Sequence, residues 1–518
     1  MHNRSFVRGA FILTAANIID RGIGFIFRII LSNLLGSEGT GVYQIALPIY
    51  FVSITFLTSG ITAVTSRFVS EERAKGNKKN IFIILKISFV IVIVLGIIIS
   101  SFLFFNAKFI AKNILHEERA YLPIIIFSPV LIIVATSSVF KGFFQGLINM
   151  IPASVSEIIE QIVRVCITLY LFSLFTGIKI EYAASIAVFG IAVGEITSFL
   201  LYIIFYKRER KIIEKKIPQE GKLLSKKTVA KNIITTSIPI TFSRMIVNII
   251  DLAESIIIPQ RLIVSGLTHK EAMSEFGKMS GMAFPLAYMP SVITMSLSIT
   301  VLPAVSEAAA LNKWDMVRIR INQAIGYTTF VAFPAIVLFL TIPEQISMLL
   351  YPKSPGVGAL VKAVAAGSIF AYMESVVSSI LNGLGRQNIV LRNSLIWISV
   401  SVIGMYFFTS IPTVRIFGYI YTFIFADALI LFLNIIELIK ITNLKIDFAN
   451  WFIKPIIASL AMGATVIFVY THVLTINVNT WIDIFLSVLA GLFIYISVSS
   501  FIKLPYIEDI KKIILLKN

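Results

Sequence analysis

Charged residues and cysteine are both scarce in this chain of 518 residues. Lys, Arg, Asp and Glu make up 14% of the sequence, whereas soluble domains carry about 25%. Cys166 is the single cysteine, so the chain cannot form an internal disulfide. The four histidines are far apart and lack metal-ligand spacing, so no metal site is expected. The longest polar stretch, 207–231, has the length of a loop, so no separate soluble domain is expected.

Apolar sequence is abundant instead. Hydrophobic residues make up 57% of the chain, and the mean hydropathy is +0.90. A helix needs about 20 apolar residues to cross a bilayer, and runs of that length recur throughout. They predict an all-α polytopic membrane protein with about 14 transmembrane helices. The predicted spans are 7–34, 41–68, 81–105, 120–147, 152–177, 181–206, 232–258, 276–309, 318–341, 357–383, 389–410, 414–437, 452–473 and 481–503.

The basic residues predict the orientation of these spans. With the N-terminus inside, about 29 Lys and Arg fall on the inner side and about nine on the outer side, which follows the positive-inside rule. We therefore expect a protein of the bacterial plasma membrane with both termini in the cytoplasm. The net charge of +18 then reflects basic cytoplasmic loops rather than a nucleic-acid partner. The loop 207–231 alone carries ten Lys and Arg and serves as a topology anchor or as a contact for anionic lipid head groups.

The chain also repeats itself. IALPIYF at 45–51 resembles MAFPLAY at 282–288, VSE at 69–71 recurs at 305–307, and the GL pair at 146–147 recurs at 383–384. The offset is 236 or 237 residues, which spans six helices, so the two copies have the same orientation in the membrane. Parallel repeats occur in transporters whose substrate site lies near the midplane between the halves. The predicted divisions are an N-terminal lobe at 1–206, a basic linker at 207–231, a C-terminal lobe at 232–437, and two further helices with a cytoplasmic tail at 438–518.

The first predicted span carries Asp20, Arg21 and Arg28 in an otherwise apolar run. The two arginines are seven residues apart, so they differ by about 20° in direction and form one stripe. A charge at the centre of a lipid-facing helix costs at least ~2.5–3.5 kcal/mol. The stripe therefore predicts a helix face turned toward a polar cavity. The alternative interpretation is that these charges form ion pairs that hold helices together.

Two further spans concentrate charges on one face. In the fifth, Glu157, Glu160 and Arg164 lie at helical spacing. In the seventh, Arg244 and Asp251 are seven residues apart and Glu254 lies close in direction. Arginine offers a planar fork of donors that suits phosphate and carboxylate groups. We therefore predict a cavity for an anionic head group. Its binding residues would be Arg21, Arg28, Arg164 and Arg244, with Asp20, Glu157, Glu160, Asp251 and Glu254 balancing the charge or coupling transport to an ion.

At these residues the sequence resembles a known family. GFIFRIILSNLLGSEGTGVYQIALPIY (24–50), SRFVSEERAKGN (66–77), KGFFQGLINMIPASVSEIIEQIVRV (141–165) and LNGLGRQN (381–388) are similar to the stage V sporulation protein B group. This group belongs to the polysaccharide-exporter branch of the superfamily shared with lipid II flippases and multidrug and toxin extrusion transporters. The resemblance implies two six-helix lobes in a V plus two C-terminal helices. It also implies that Arg28, Glu160, Gln161, Arg164 and Glu254 fall on the family's motif positions.

The resemblance implies a flippase that moves an undecaprenyl-linked saccharide from the inner to the outer leaflet, with a role in spore cortex or cell-wall synthesis. A cation-coupled multidrug exporter of the same superfamily is the alternative within transport. A membrane glycosyltransferase or ligase, or a sporulation scaffold, is the alternative outside it. We expect no catalytic residues and no cofactor, coupling to Na⁺, H⁺ or the membrane potential, and a monomer whose partners are membrane lipids and a lipid-linked anionic saccharide.

Overall fold

The structure is a computed structural model that describes residues 2–175, 177–216, 218–219, 222–473 and 480–505. It divides into two compact units, Met1–Gln260 and Arg261–Asn518. Within the described residues the regular secondary structure is helical, apart from one isolated bridge between Asn77 and Gln219. The predicted cytoplasmic tail beyond 505 lies outside the described residues.

Long helices make up the first unit. They are α1 (His2–Ala74), α2 (Lys78–Phe109), α3 (Tyr121–Gly146), α4 (Ile151–Leu174), α5 (Ile180–Lys216) and α6 (Lys226–Val264), whose last residues enter the second unit. A π-helical turn (Ile110–Ile114) follows α2, and a 3₁₀ turn (Glu118–Ala120) precedes α3.

The second unit contains both long and short helices. They are α7 (His269–Gly277), α8 (Phe284–Ala287), α9 (Ser291–Ala310), α10 (Trp314–Thr341), α11 (Pro343–Leu350), α12 (Val357–Gly383), α13 (Gln387–Phe408), α14 (Ile416–Thr442), α15 (Lys454–Phe468) and α16 (Thr480–Phe501). Three π-helical segments adjoin them: Lys278–Ala283 joins α7 to α8, and Ala449–Ile453 and Val469–Val473 flank α15.

The number of spans agrees with the prediction. Twelve helices in the described part of the chain are long and apolar enough to cross a membrane. One of them is α1, which supplies two spans because Gly36 interrupts its helical geometry at φ 68° and ψ 177°. The 24-residue α4 is not among the twelve because it carries Glu157, Glu160 and Arg164. Counting α1 twice and adding α4 gives fourteen, which confirms the polytopic all-α fold.

The break in α1 is held by an ion-pair cluster. Positive φ is readily available to glycine, so Gly36 can redirect the chain without a steric penalty. Glu38, two residues later, accepts a hydrogen bond of 2.6 Å from Arg119 in the 3₁₀ turn. The same guanidinium donates two hydrogen bonds of 2.8 Å to the buried carboxylate of Glu117. The break is therefore fixed to the turn before α3.

Glycines allow close helix crossings within both units. A Cβ atom added to Gly146 of α3 would lie 2.5 Å from the carbonyl oxygen of Ser66 in α1. In the second unit, a Cβ atom added to Gly383 of α12 would lie 2.7 Å from the carbonyl oxygen of Leu302 in α9. The same crossing thus recurs at the offset of 236–237 residues. The predicted domain boundaries at 206, 231 and 437 stay a prediction.

Candidate functional site

The charged stripes of α1 and α4 face each other. A Cβ atom added to Gly24 would lie 3.2 Å from the side-chain nitrogen of Gln161, so this face of α1 is turned toward α4. Arg21 and Arg28 lie three residues before and four residues after Gly24, and therefore project within about 60° of the same direction. Glu157 and Arg164 flank Gln161 on α4 in the same way. The sequence-predicted stripes are thus brought together.

Two ion pairs organise α4. The guanidinium of Arg164 donates a hydrogen bond of 2.5 Å to Glu160 and one of 3.0 Å to Gln161. Its Nε is buried and has no hydrogen-bond partner among the described residues. Lys141 of α3 forms an ion pair with Glu157. Arg164 is therefore neutralised within α4, whereas Glu157 is neutralised by a lysine of α3. The second pair joins two helices, which agrees in part with the alternative interpretation that the charges hold helices together.

A further acid reaches this site from α5. The hydroxyl of Tyr50 donates a hydrogen bond of 3.1 Å to Glu195. Small residues let α5 approach α4: a Cβ atom added to Gly194 would lie 3.0 Å from the carbonyl oxygen of Glu160. Close approach through glycines four residues apart, here Gly190 and Gly194, is a frequent feature of packed membrane helices. Glu195 thereby lies beside the Glu160–Arg164 pair.

We name these side chains the charged cluster of the first unit. Its members share the interior of α1, α3, α4 and α5, and they interact electrostatically with one another. They are Asp20, Tyr50, Lys141, Glu157, Glu160, Arg164 and Glu195. Asp20 interacts with Arg164, Glu157 and Lys141, so the start of the α1 stripe belongs to the cluster. The cluster combines four acids with two bases, and Arg21 and Arg28 beside it bring the formal charges to four of each sign.

The remaining predicted residues lie on α1 and α6. Arg21 and Arg28 are exposed on α1, and Arg28 lies near Tyr43. Arg244 and Asp251 are exposed on α6, and the described side chains include no ion-pair partner for either. They flank Asn248, which donates a hydrogen bond of 2.8 Å to Thr55 in the second half of α1. Glu254 is half-buried one turn beyond Asp251.

The structure adds residues to the predicted site. Lys141 was not among the predicted residues, although a lysine inside an otherwise apolar span was a usable signal. Glu195 was visible in the sequence only as a single acid in a span, and its partner Tyr50 gave no signal at all. Tyr50 lies 145 residues away in sequence, so only the packing of α1 against α5 shows the pair.

A separate polar network lies in the second unit. Asp427 of α14 is buried and accepts a hydrogen bond of 2.8 Å from the indole of Trp397 and one of 3.4 Å from Tyr288. Asn434 is also buried; it accepts a hydrogen bond of 2.7 Å from Asn393 and donates one of 3.4 Å to Glu374. The donors to both carboxylates are neutral groups. This network differs from the charged cluster of the first unit, which contains basic side chains.

Residues 6–309, more than half of the chain, match the family described as polysaccharide biosynthesis protein. The chain belongs to this family. It is similar to the Bacillus subtilis protein named stage V sporulation protein B, at 29% identity over 87% of each chain. It is also similar to the Bacillus subtilis lipid II flippase MurJ, at 24% identity over 77% of this chain and 76% of the relative.

Solved structures share the fold. A lipid II flippase MurJ in an inward closed conformation aligns with a TM-score of 0.68 at 15% identity, covering 95% of this chain and 98% of the other. An inward-facing multidrug resistance transporter of the MATE family and MOP superfamily aligns with a TM-score of 0.66 at 13% identity, covering 80% and 92%. The chain therefore shares the fold of these multi-pass membrane proteins and is similar to stage V sporulation protein B.

Proposed function

We propose that this protein is a flippase for an undecaprenyl pyrophosphate-linked saccharide, a precursor of peptidoglycan or of another polysaccharide. It moves the head group from the inner to the outer leaflet by alternating access, in the plasma membrane, as a monomer with both termini in the cytoplasm. The similarity to stage V sporulation protein B and to lipid II flippase MurJ supports this proposal and favours a role in spore cortex or cell-wall synthesis.

The charged cluster of the first unit is the observation that carries the proposal. Ionisable side chains inside a membrane are costly, and those retained commonly mark a substrate or ion pathway. Four helices contribute to this cluster, and the exposed Arg21 and Arg28 lie beside it. Guanidinium groups bind phosphate through paired hydrogen bonds, which an apolar cavity strengthens. A pyrophosphate suits such donors better than a cationic drug does.

The charge balance suggests how binding is coupled to an ion. Before substrate binds, four acids face four bases. An anionic pyrophosphate that engages the arginines leaves the carboxylates in excess, and uptake of H⁺ or Na⁺ would restore neutrality. We therefore propose that Asp20, Glu157 and Glu160 balance or couple the charge, with Asp251 and Glu254 of α6 in the same role. The membrane potential is the remaining candidate for the driving force.

Transport of labelled lipid II in proteoliposomes tests the function. Arg28→Ala should reduce flipping at least tenfold, since losing one charge-assisted phosphate contact costs about 1.5–3 kcal/mol. Arg28→Lys should recover part of the activity, because lysine keeps the charge but lacks the fork. Arg67→Ala is the matched control: it removes an exposed arginine that pairs with Glu71 at the other end of α1.

Thermal unfolding of the same purified variants separates binding from structure. If Arg28 binds substrate, Arg28→Ala should lose transport with its melting temperature unchanged. If Arg28 only holds helices together, stability and transport should fall together. Normal flipping by both Arg28→Ala and Arg21→Ala would exclude the proposed role of this stripe. Export of a fluorescent cationic dye without lipid II flipping would instead favour the multidrug exporter.

A further inference from the structure

The last helix of the first lobe continues well past its apolar span. In α5 the apolar sequence ends near Tyr206, but the helix runs on to Lys216. This extension carries the sequence KRERKIIEK at 207–215, which holds five of the basic residues of the linker. It is therefore an ordered helical surface and not a loose loop.

The basic side chains of the extension share one face. Counted from Ile204 at about 100° per residue, Lys207, Arg208, Lys211 and Lys215 all project within about 60° of the same direction. All four are exposed. We name them the basic stripe of α5. It extends for about 12 Å along the helix, at 1.5 Å per residue.

The basic stripe continues the outward-facing apolar side of the same helix. Leu200 and Ile204 are 53% and 63% exposed, as expected of side chains in contact with lipid tails. The opposite side of the helix is buried: Tyr202 and Ile213, about 160–180° away from Ile204, are each 2% exposed. One face of α5 is thus apolar along the span and cationic immediately beyond it.

Contacts with the rest of the unit hold the extension in place. Asn149 donates a hydrogen bond of 3.3 Å to Glu209, and Lys78 donates one of 3.2 Å to the carbonyl oxygen of Glu214. The guanidinium of Arg210 lies 5.7 Å from the ring centroid of Phe82. These contacts use the residues between the members of the basic stripe, and they leave the stripe itself exposed. The stripe is therefore preorganised for a ligand.

We propose that the basic stripe of α5 binds the head groups of anionic phospholipids in the cytoplasmic leaflet while Leu200 and Ile204 contact their acyl chains. Basic residues directly beyond a membrane helix attract anionic lipid, with about 1 kcal/mol for each Lys or Arg near the surface. The proposal rests on the proposed orientation and is independent of the transported substrate. It makes the inter-lobe linker a lipid-contacting element.

Titration of purified protein with phosphatidylglycerol tests this proposal. The readouts are the melting temperature in lipid–detergent micelles and the number of bound lipids in native mass spectrometry. Phosphatidylglycerol should stabilise the wild type more than phosphatidylcholine does. The variant K207Q/R208Q/K211Q/K215Q should need much more phosphatidylglycerol for half-saturation, with about a fivefold contribution from each residue. Replacing the three lysines by arginine should preserve binding.

The linker supplies a matched control. K222Q/K226Q/K227Q/K231Q removes four equally exposed charges that lie outside the stripe and should bind phosphatidylglycerol nearly as the wild type does. Equal weakening in both variants would show general charge attraction and overturn the site. A wild type that does not distinguish the two lipids would also overturn it. Inorganic phosphate should give no stabilisation, since it lacks acyl chains for Leu200 and Ile204. If the fourfold variant does not fold, variants with a single lysine-to-glutamine change replace it.

Discussion

At the scale of single residues, Arg164 is the centre of the charged cluster. It is bonded to Glu160 and Gln161, and it interacts electrostatically with Glu195 and Tyr50. Its buried Nε has no partner among the described residues, so the guanidinium retains a donor that a ligand could use. Arg164 is therefore neutralised mainly within α4, and its role in binding an anion stays a prediction.

The change Glu160→Gln should destabilise the protein. It removes the carboxylate that neutralises Arg164 while keeping the size of the side chain. Breaking a fully buried pair costs about 3–5 kcal/mol, and the remaining exposure of 15% and 22% lowers our expectation to about 1–3 kcal/mol. Unfolding of the purified variant by heat and by denaturant measures the loss.

A second pair provides the comparison for Glu160→Gln. Arg67 and Glu71 have the same spacing of four residues on α1 but are 65% and 42% exposed. Exposed pairs of this kind contribute about 0.3–0.5 kcal/mol, so Glu71→Gln should change stability little. Equal effects of the two substitutions would contradict the assignment of Glu160 as a buried partner of Arg164.

At the scale of helices, the sequence predicted the helices better than the turns and contacts between them. Apolar runs of spanning length identified α2, α3, α5 and the long helices of the second unit because lipid demands continuous apolar sequence. The charged stripe of α4 was also predicted, since helical periodicity alone fixes which residues share a face. The π-helical turns were not predicted, because they depend on how neighbouring helices pack.

The partners within the charged cluster illustrate the same limit. The pattern of α4 predicted Glu157, Glu160 and Arg164, but it could not show that Lys141 and Glu195 neutralise or extend that stripe. Those contacts join α3 and α5 to α4, and a single sequence carries no direct signal for contacts between helices. The recurring glycine crossing was predictable for a different reason, since the repeat leaves a trace in the sequence itself.

The glycine crossings give a prediction at this scale. Gly146→Ala and Gly383→Ala should each destabilise the protein by about 1–3 kcal/mol, because overpacking forces backbones apart. The added Cβ atoms would lie 2.5 Å and 2.7 Å from carbonyl oxygens, which are backbone atoms and cannot rotate away. Gly22→Ala is the control, since a Cβ atom there meets nothing within 4 Å.

The two glycine variants should also resemble each other. If α1–α3 and α9–α12 are equivalent crossings of a repeat, the losses in melting temperature should be similar and should add in the double variant, because distant sites are independent. A large loss at Gly146 with none at Gly383 would show that the crossings are not equivalent in energy. Circular dichroism at increasing temperature is sufficient for the measurement.

At the scale of the whole molecule, the proposed direction of transport and the proposed lipid contact of α5 both depend on the orientation predicted from basic residues. Ten Lys and Arg between 207 and 231 predict, by the positive-inside rule, that this linker lies in the cytoplasm. An odd number of spans separates it from the loop before α14, which should therefore face outside. Cys166 is exposed in the structure, so it must first be replaced by serine to give a background without thiols.

Single cysteines in this background test the orientation. Ser225 and Thr413 are both exposed loop residues, the first in the linker and the second before α14. Thr413→Cys should react with a membrane-impermeant maleimide in intact cells, whereas Ser225→Cys should react only after the cells are opened. The charge asymmetry makes the reverse orientation unfavourable, because it would carry about 29 basic residues across the membrane instead of about nine. Labelling of Ser225→Cys in intact cells would show that the orientation is the reverse of the predicted one. It would also place the basic stripe of α5 at the outer leaflet.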